Sequence, residues 1–170
     1  MVGAPPAAFD TSFWVHVFGA GLLPLILPRY TLRYAPAVAL ELPISFASGR
    51  EFRRLAQSGE LLQDEPAGDQ VGMFGPGERA TINLVLEHPD WVLLLDDRRP
   101  FDWAEAHGIR VVCSPLLVVA WFQAGTLDVR EAERLLALLT APGTMSPVLL
   151  QRARRRLATV IMQREEAEHG

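Results

Sequence analysis

Lysine is absent from this chain: all 16 of its basic residues are arginine. That bias reads as the codon usage of a GC-rich genome and not as a functional signature. Cysteine occurs once, as Cys113 inside an apolar run. A disulfide framework is therefore excluded, and a buried thiol in a reducing cytoplasm is expected. No Cys-x-x-Cys or Cys/His pattern supports a zinc site. His16, His88, His107 and His169 show no ligand spacing and read as structural or surface residues. An excess of positive charge is also missing. The formal net charge of −4 argues against a general basic coat for nucleic acid, while leaving room for a local basic rim. The most apolar window, Trp14 to Leu27, contains His16, two glycines and Pro24, so it reads as a buried helix and not as a membrane span. The opening residues M-V-G-A-P-P-A-A-F-D lack the basic end and apolar core of a secretory signal. Internal repeats and low-complexity linkers are absent too.

What is present suits one folded domain. The chain has 170 residues, 49% of them apolar, enough for a full core. Residues 1–6 read as a Pro-rich tail, 7–164 as the domain and 165–170 as a frayed end. Ala7 to Phe9 reads as the end of a short strand. Asp10, Thr11 and Ser12 offer N-cap chemistry for a helix to about Leu22, which Pro24 and Pro28 end. Tyr30 to Tyr34 alternates as a strand. Pro36 opens a short helix, Ala37 to Leu42, that carries Glu41. Ser48 and Glu51 form a capping-box pattern for a helix holding Phe52 and Leu55, and Ser58-Gly59 stops it. A short strand is expected near Leu61.

The stretch from Gly75 to Cys113 organises the rest. A Gly-rich turn and Glu78 open a helical pattern with Ile82, Val85 and Leu86 at helical spacing. The apolar run Trp91 to Leu95 has the length of a buried strand and ends on Asp96 and Asp97, then Arg98 and Arg99. A helical segment around Phe101 to His107 leads through Gly108 to a second apolar run, Ile109 to Cys113. This is a βαβ unit, and such units build parallel sheets. Ser114 reads as a cap and Pro115 as the first helical position of an apolar helix to about Gln123, and Gly125 breaks it. Asp128 and Glu131 form another capping box, with Val129, Ala132, Leu135, Leu136 and Leu139 as the buried stripe. A loop follows at Pro142-Gly143. Ser146-Pro147 opens the last helix, whose Arg152, Arg154, Arg155 and Arg156 read as a solvated face. The alternation defines an α/β three-layer domain.

Carboxylates recur where strands end or helices begin: Asp10, Glu41, Glu78, Asp96 and Asp97. Ligands of parallel sheets bind outside the carboxyl ends of the strands, where Asp96 and Asp97 fall. Buried carboxylates need cationic partners. Should the fold gather these groups, a hard divalent cation, Mg²⁺ or Mn²⁺, is the natural occupant, and such a site suits phosphodiester hydrolysis. Each also has a plainer reading. Asp10 and Glu78 sit where acids stabilise helix starts, Glu41 can be a surface glutamate, and Asp97 can bridge Arg98 or Arg99.

The order D-T-S (Asp10 to Ser12), P-A-V-A-L-E-L (Pro36 to Leu42), G-P-G-E-R-A-T-I (Gly75 to Ile82), L-L-L-D-D-R-R (Leu93 to Arg99) and H-G-I-R-V (His107 to Val111) resembles the PIN-domain superfamily. More narrowly it is similar to PIN-like proteins related to VapC-type toxins, from about Ala7 to about Gln151. The resemblance implies a mostly parallel sheet flanked by helices and a Mg²⁺- or Mn²⁺-dependent endoribonuclease site. It implies catalytic roles for Asp10, Glu41, Glu78 and Asp96, and metal binding by Asp10, Glu78, Asp96 and Asp97. Substrate contacts fall to Thr11, Ser12, Arg98 and Arg99. RNA is the implied partner, with a small antitoxin protein and a second copy of the chain as further partners.

Two stretches depart from the pattern. Pro100, Phe101 and Asp102 stand where relatives often place a basic residue, and Cys113-Ser114-Pro115 replaces the frequent Thr-Gly-Thr. These departures keep a second expectation in view: a PIN-like scaffold with little or no catalysis that binds a protein or RNA. A phosphoryl-transfer receiver-like domain also uses strand-end acids, but the missing lysine weighs against it.

Overall fold

A computed structural model describes residues 3–141 and 143–169; Pro142 of the expected loop, the first two residues of the expected tail and Gly170 lie outside the described residues. The elements run β1 (Pro6–Phe9), α1 (Thr11–Gly19), α2 (Leu23–Ile26), β2 (Thr31–Tyr34), α3 (Pro36–Leu40), α4 (Ala47–Gln57), β3 (Leu61–Gln63) and α5 (Pro76–Glu87). They continue with β4 (Val92–Leu94), α6 (Arg98–Ala106), β5 (Val111–Val112), α7 (Ser114–Gln123), α8 (Val129–Thr140) and α9 (Pro147–His169). The strands form one five-stranded sheet in the order β3-β2-β1-β4-β5. Every pairing is parallel, with Ala8 beside Arg33 on one side and beside Leu93 on the other.

Side-chain alternation along the strands builds the layers. Ala7, Phe9, Leu32, Tyr34, Val92 and Leu94 face one core, shared with α1, α4, α7, α8 and α9. Ala8, Leu93 and Leu95 point the other way, onto Ile82, Leu84 and Val85 of α5 and Ala104 of α6. Because both faces are covered, β4 can be apolar throughout, as its run of valine and leucine requires. The three-layer α/β architecture expected from the sequence is the one found.

Several local expectations change. The helix after Asp10 stops at Gly19, and Gly21 takes a left-handed φ of 71°. Pro24 then lies in the first turn of α2, where its missing N–H costs nothing. Ser48 is not a cap: the N-cap of α4 is Phe46, two residues earlier, and Glu51 instead makes a two-pronged ion pair with Arg54. Asp128 and Glu131 do form their capping box at α8. α9 is helical to His169, past the point where fraying is expected. Among the described residues no helix is long and apolar enough to cross a membrane.

Candidate active site

The sheet order places a switch point between β1 and β4, the strands at which the chain reverses its direction of winding. At such a point the helices on either side diverge and leave a crevice above the carboxyl ends. Asp10 is the first residue after β1 and Asp96 the second after β4. The backbone holds them in register, since Asp10 N–H donates to Leu94 O at 3.3 Å.

Asp10 does two things. Its Oδ1 accepts the Phe13 N–H at 2.8 Å and so caps α1. Its Oδ2 is buried without any hydrogen-bond partner, and the residue is 0% exposed. Burial pushes the Asp10 carboxyl well above the usual range, the cap pulls it down, and the negative charges of Asp96, Glu78 and Asp97 push it further up.

Glu41 caps the carboxyl end of α3 and is clasped from two sides. Thr11 Oγ1 donates to its Oε2 at 2.5 Å, and Gly77 N–H donates to its Oε1 at 2.9 Å. Gly77 is buried, and a Cβ there would collide with the Glu41 carboxylate. The small residue in the G-P-G-E turn thus leaves room for Glu41. Glu78, in the first turn of α5, accepts the Gly75 N–H at 3.2 Å. Its carboxyl is raised first by partial burial, then by Asp97 and Glu41, and Arg99 opposes them. Ser12 stands half-buried beside Thr11 in α1.

Asp96 is 2% exposed and fully engaged. Ser114 N–H donates to Oδ1 and Ser114 Oγ–H to Oδ2, both at 2.6 Å. His16 Nδ1 lies 2.9 Å from Oδ2, and His16 Nε2 lies 2.8 Å from Thr144 Oγ1. The expected role of Ser114 is therefore corrected. Ser114 is not the N-cap of α7, a position held by Cys113 with no side-chain bond; its donors serve Asp96. His16 takes the structural of its two expected roles, as a buried partner of Asp96. Burial and the Asp96 charge push the Cys113 thiol up to about 12, so it stays a thiol.

Asp97 is exposed and caps α6 by accepting the Arg99 N–H at 3.1 Å. Arg98 and Arg99 are exposed at the same helix start, Arg98 reaching Asp102 at 3.2 Å. On α9, Arg152 pairs with Glu105, and Arg154, Arg155 and Arg156 face solvent.

The five carboxylates thus gather at one edge, where Asp10 feels the charges of Asp96, Glu78 and Asp97, and Glu78 those of Asp97 and Glu41. Among the described residues, no three His, Cys, Asp or Glu side chains converge closely enough to hold an ion. The donor chemistry nevertheless fits a hard divalent cation. Every group is a carboxylate, no described ion pair joins an arginine to Asp10, Glu41, Glu78 or Asp96, and Asp10 Oδ2 is an unpaired buried acceptor.

This architecture is PIN-like: an all-parallel sheet with helices on both faces and acids at its carboxyl edge. Among solved structures, the chain is similar to one described as "Structure of the PIN domain endonuclease Utp24", with a TM-score of 0.50 and 14% identity over 66% of this chain and 86% of that one. No protein-family model and no curated protein sequence matches the chain.

Proposed function

We propose that this protein is a PIN-like endoribonuclease that depends on Mg²⁺ or Mn²⁺. The observation that carries this reading is Asp10 Oδ2, a buried carboxylate oxygen without a partner at the switch point, surrounded by other acids. Structures do not retain such an oxygen for stability, since it costs free energy that a capping Asn or Ser would avoid. A cation held there would lower the pKa of a bound water and offset charge developing on the phosphate.

In this reading Asp10, Glu78 and Asp96 would hold the ion, with Asp97 at the rim. Glu41, whose carboxylate Thr11 and Gly77 hold, would accept a proton from the attacking water. Arg98 and Arg99 attract the RNA backbone, and their exposure leaves both guanidinium groups accessible to phosphate. The similar PIN domain endonuclease supports a nuclease of this kind. The narrower role, the toxin of a toxin–antitoxin pair acting as a homodimer, rests on the motif resemblance.

The test is cleavage of single-stranded RNA by the wild type and Asp96→Asn with Mn²⁺, Mg²⁺ or a chelator. Metal-dependent cleavage by the wild type that the variant loses, with its fold intact by circular dichroism, is the expected result. Equal cleavage by both proteins sinks the assignment. A second reading, a scaffold that binds RNA or protein without cutting, draws on the absence of a converged ion cage among the described residues. RNA binding without cleavage in either metal would select it.

A further inference from the structure

The site described above leaves one buried group without a task. His16 lies on α1, two turns from the Asp10 cap, and is 5% exposed. A lone histidine on an apolar helix usually satisfies itself on a backbone carbonyl. This one reaches across the sheet edge to Asp96, 80 residues away in sequence. Its other nitrogen meets Thr144, in the segment between α8 and α9. With its proton on Nδ1, the ring donates to Asp96 Oδ2 while Nε2 accepts from the Thr144 hydroxyl, so both contacts are satisfied at once.

The acceptor sites of Asp96 can be counted. A carboxylate has about four, two on each oxygen. Ser114 Oγ and His16 Nδ1 take both on Oδ2, and Ser114 N–H takes one on Oδ1. One site on Oδ1 remains. The two short bonds from Ser114 are charge-assisted and anchor one side of the group. They come from a single residue and engage both oxygens. His16, arriving from a different element, ties the carboxylate to α1 as well and fills the second site on Oδ2.

We infer that His16 is a positioning residue for Asp96: together with Ser114 it locks the carboxylate so that Oδ2 is filled and the one free acceptor site lies on Oδ1. The inference deepens the nuclease reading and rests on it for its kinetic consequence. The geometric consequence stands apart from it. A bidentate role for Asp96 is ruled out while His16 is in place. Loss of His16 opens one acceptor site on Oδ2 and removes the tie to α1, leaving Ser114 to hold the carboxylate alone.

Three variants separate positioning from packing. His16→Asn keeps an amide donor near the place of Nδ1. His16→Gln moves its amide further out, toward the place of Nε2, and His16→Leu has no donor at all. For each, Mn²⁺ binding by calorimetry, RNA cleavage as separate kcat and KM, and the ¹⁵N–¹H signal of the Ser114 amide are measured on the full chain. The Ser114 amide donates to Asp96 Oδ1 and reports the carboxylate's placement with neither ion nor RNA present. The expected result for His16→Leu and His16→Gln is a shifted Ser114 signal, with Mn²⁺ affinity and kcat lowered by about tenfold or more. KM changes little. His16→Asn is expected to restore the signal and most of the affinity.

An unmoved Ser114 signal in folded His16→Leu overturns the inference, as does His16→Asn behaving like His16→Leu in all three readouts. Should His16→Leu fail to fold, the contrast between His16→Asn and His16→Gln decides in the same way. A wild type that neither binds Mn²⁺ nor cleaves RNA removes the nuclease reading, and the Ser114 signal across the variants still decides whether His16 positions Asp96.

Discussion

Asp10 carries opposing demands on a single side chain. One oxygen caps a helix and the other lies buried without a partner. Asn at this position would keep the cap and remove the charge. Asp10→Asn is therefore expected to stabilise the ion-free protein by about 1–2 kcal/mol at neutral pH while abolishing cleavage. The pH dependence has a definite sign. The folded Asp10 pKa lies above the 3.8 of a free aspartate. Its contribution to stability is thus complete in acid below that value and is lost as pH rises through the raised folded value. Urea denaturation from about pH 4 to about pH 8 should show the variant's advantage growing with pH. An advantage that stays constant over that range contradicts the raised value. Gly77 poses a different residue-scale question. Gly77→Ala adds a Cβ that displaces the Glu41 carboxylate, although alanine is the better helix former by about 1 kcal/mol. Cleavage should fall by about tenfold to a hundredfold with the melting temperature nearly unchanged. Paired kinetic and thermal measurements check both halves.

At the scale of elements, three helices at the acidic edge start with carboxylates that serve the candidate site as well as the helix. α1 starts on Asp10, α5 on Gly75 with Glu78, and α6 on Asp97. α8 is the contrast, because its capping box of Asp128 and Glu131 serves only the helix. Asp128→Ala should cost about 1 kcal/mol in chemical denaturation and leave kcat unchanged. This division explains what could be read from the sequence. Acids that end strands or open helices are local signals, so Asp10, Glu78 and Asp96 were visible as candidates, and strand alternation revealed the layers. His16, Ser114 and Thr144 join Asp96 only through tertiary contacts. A histidine among Phe13, Trp14 and Val17 looks like core, and a serine before Pro115 looks like a cap. Ser48 and Glu51 had cap spacing too, but Arg54 one turn further on offered Glu51 two charged hydrogen bonds. The four-residue helix around Pro24 was hidden because a proline inside an apolar run reads as a stop.

For the whole molecule, the acidic edge is a place where the folded chain tolerates repulsion. A cation that binds only the folded state stabilises it by mass action, by about 2.7 kcal/mol at a hundred times its dissociation constant. Mn²⁺ should therefore raise the melting temperature of the wild type and leave that of Asp10→Asn unmoved, as differential scanning fluorimetry with and without a chelator would show. Equal shifts in both proteins would place the binding elsewhere.

The order of the strands also sets when the edge can exist. β1 leads the chain, yet its neighbour β4 begins at Val92, and the serine that anchors Asp96 follows at position 114. A polypeptide leaving the ribosome exposes Asp10 early, with nothing beside it. Most of the molecule must be made before the two aspartates face each other. Under the proposed nuclease function, a nascent chain would leave the messenger that encodes it intact until its own translation is well advanced.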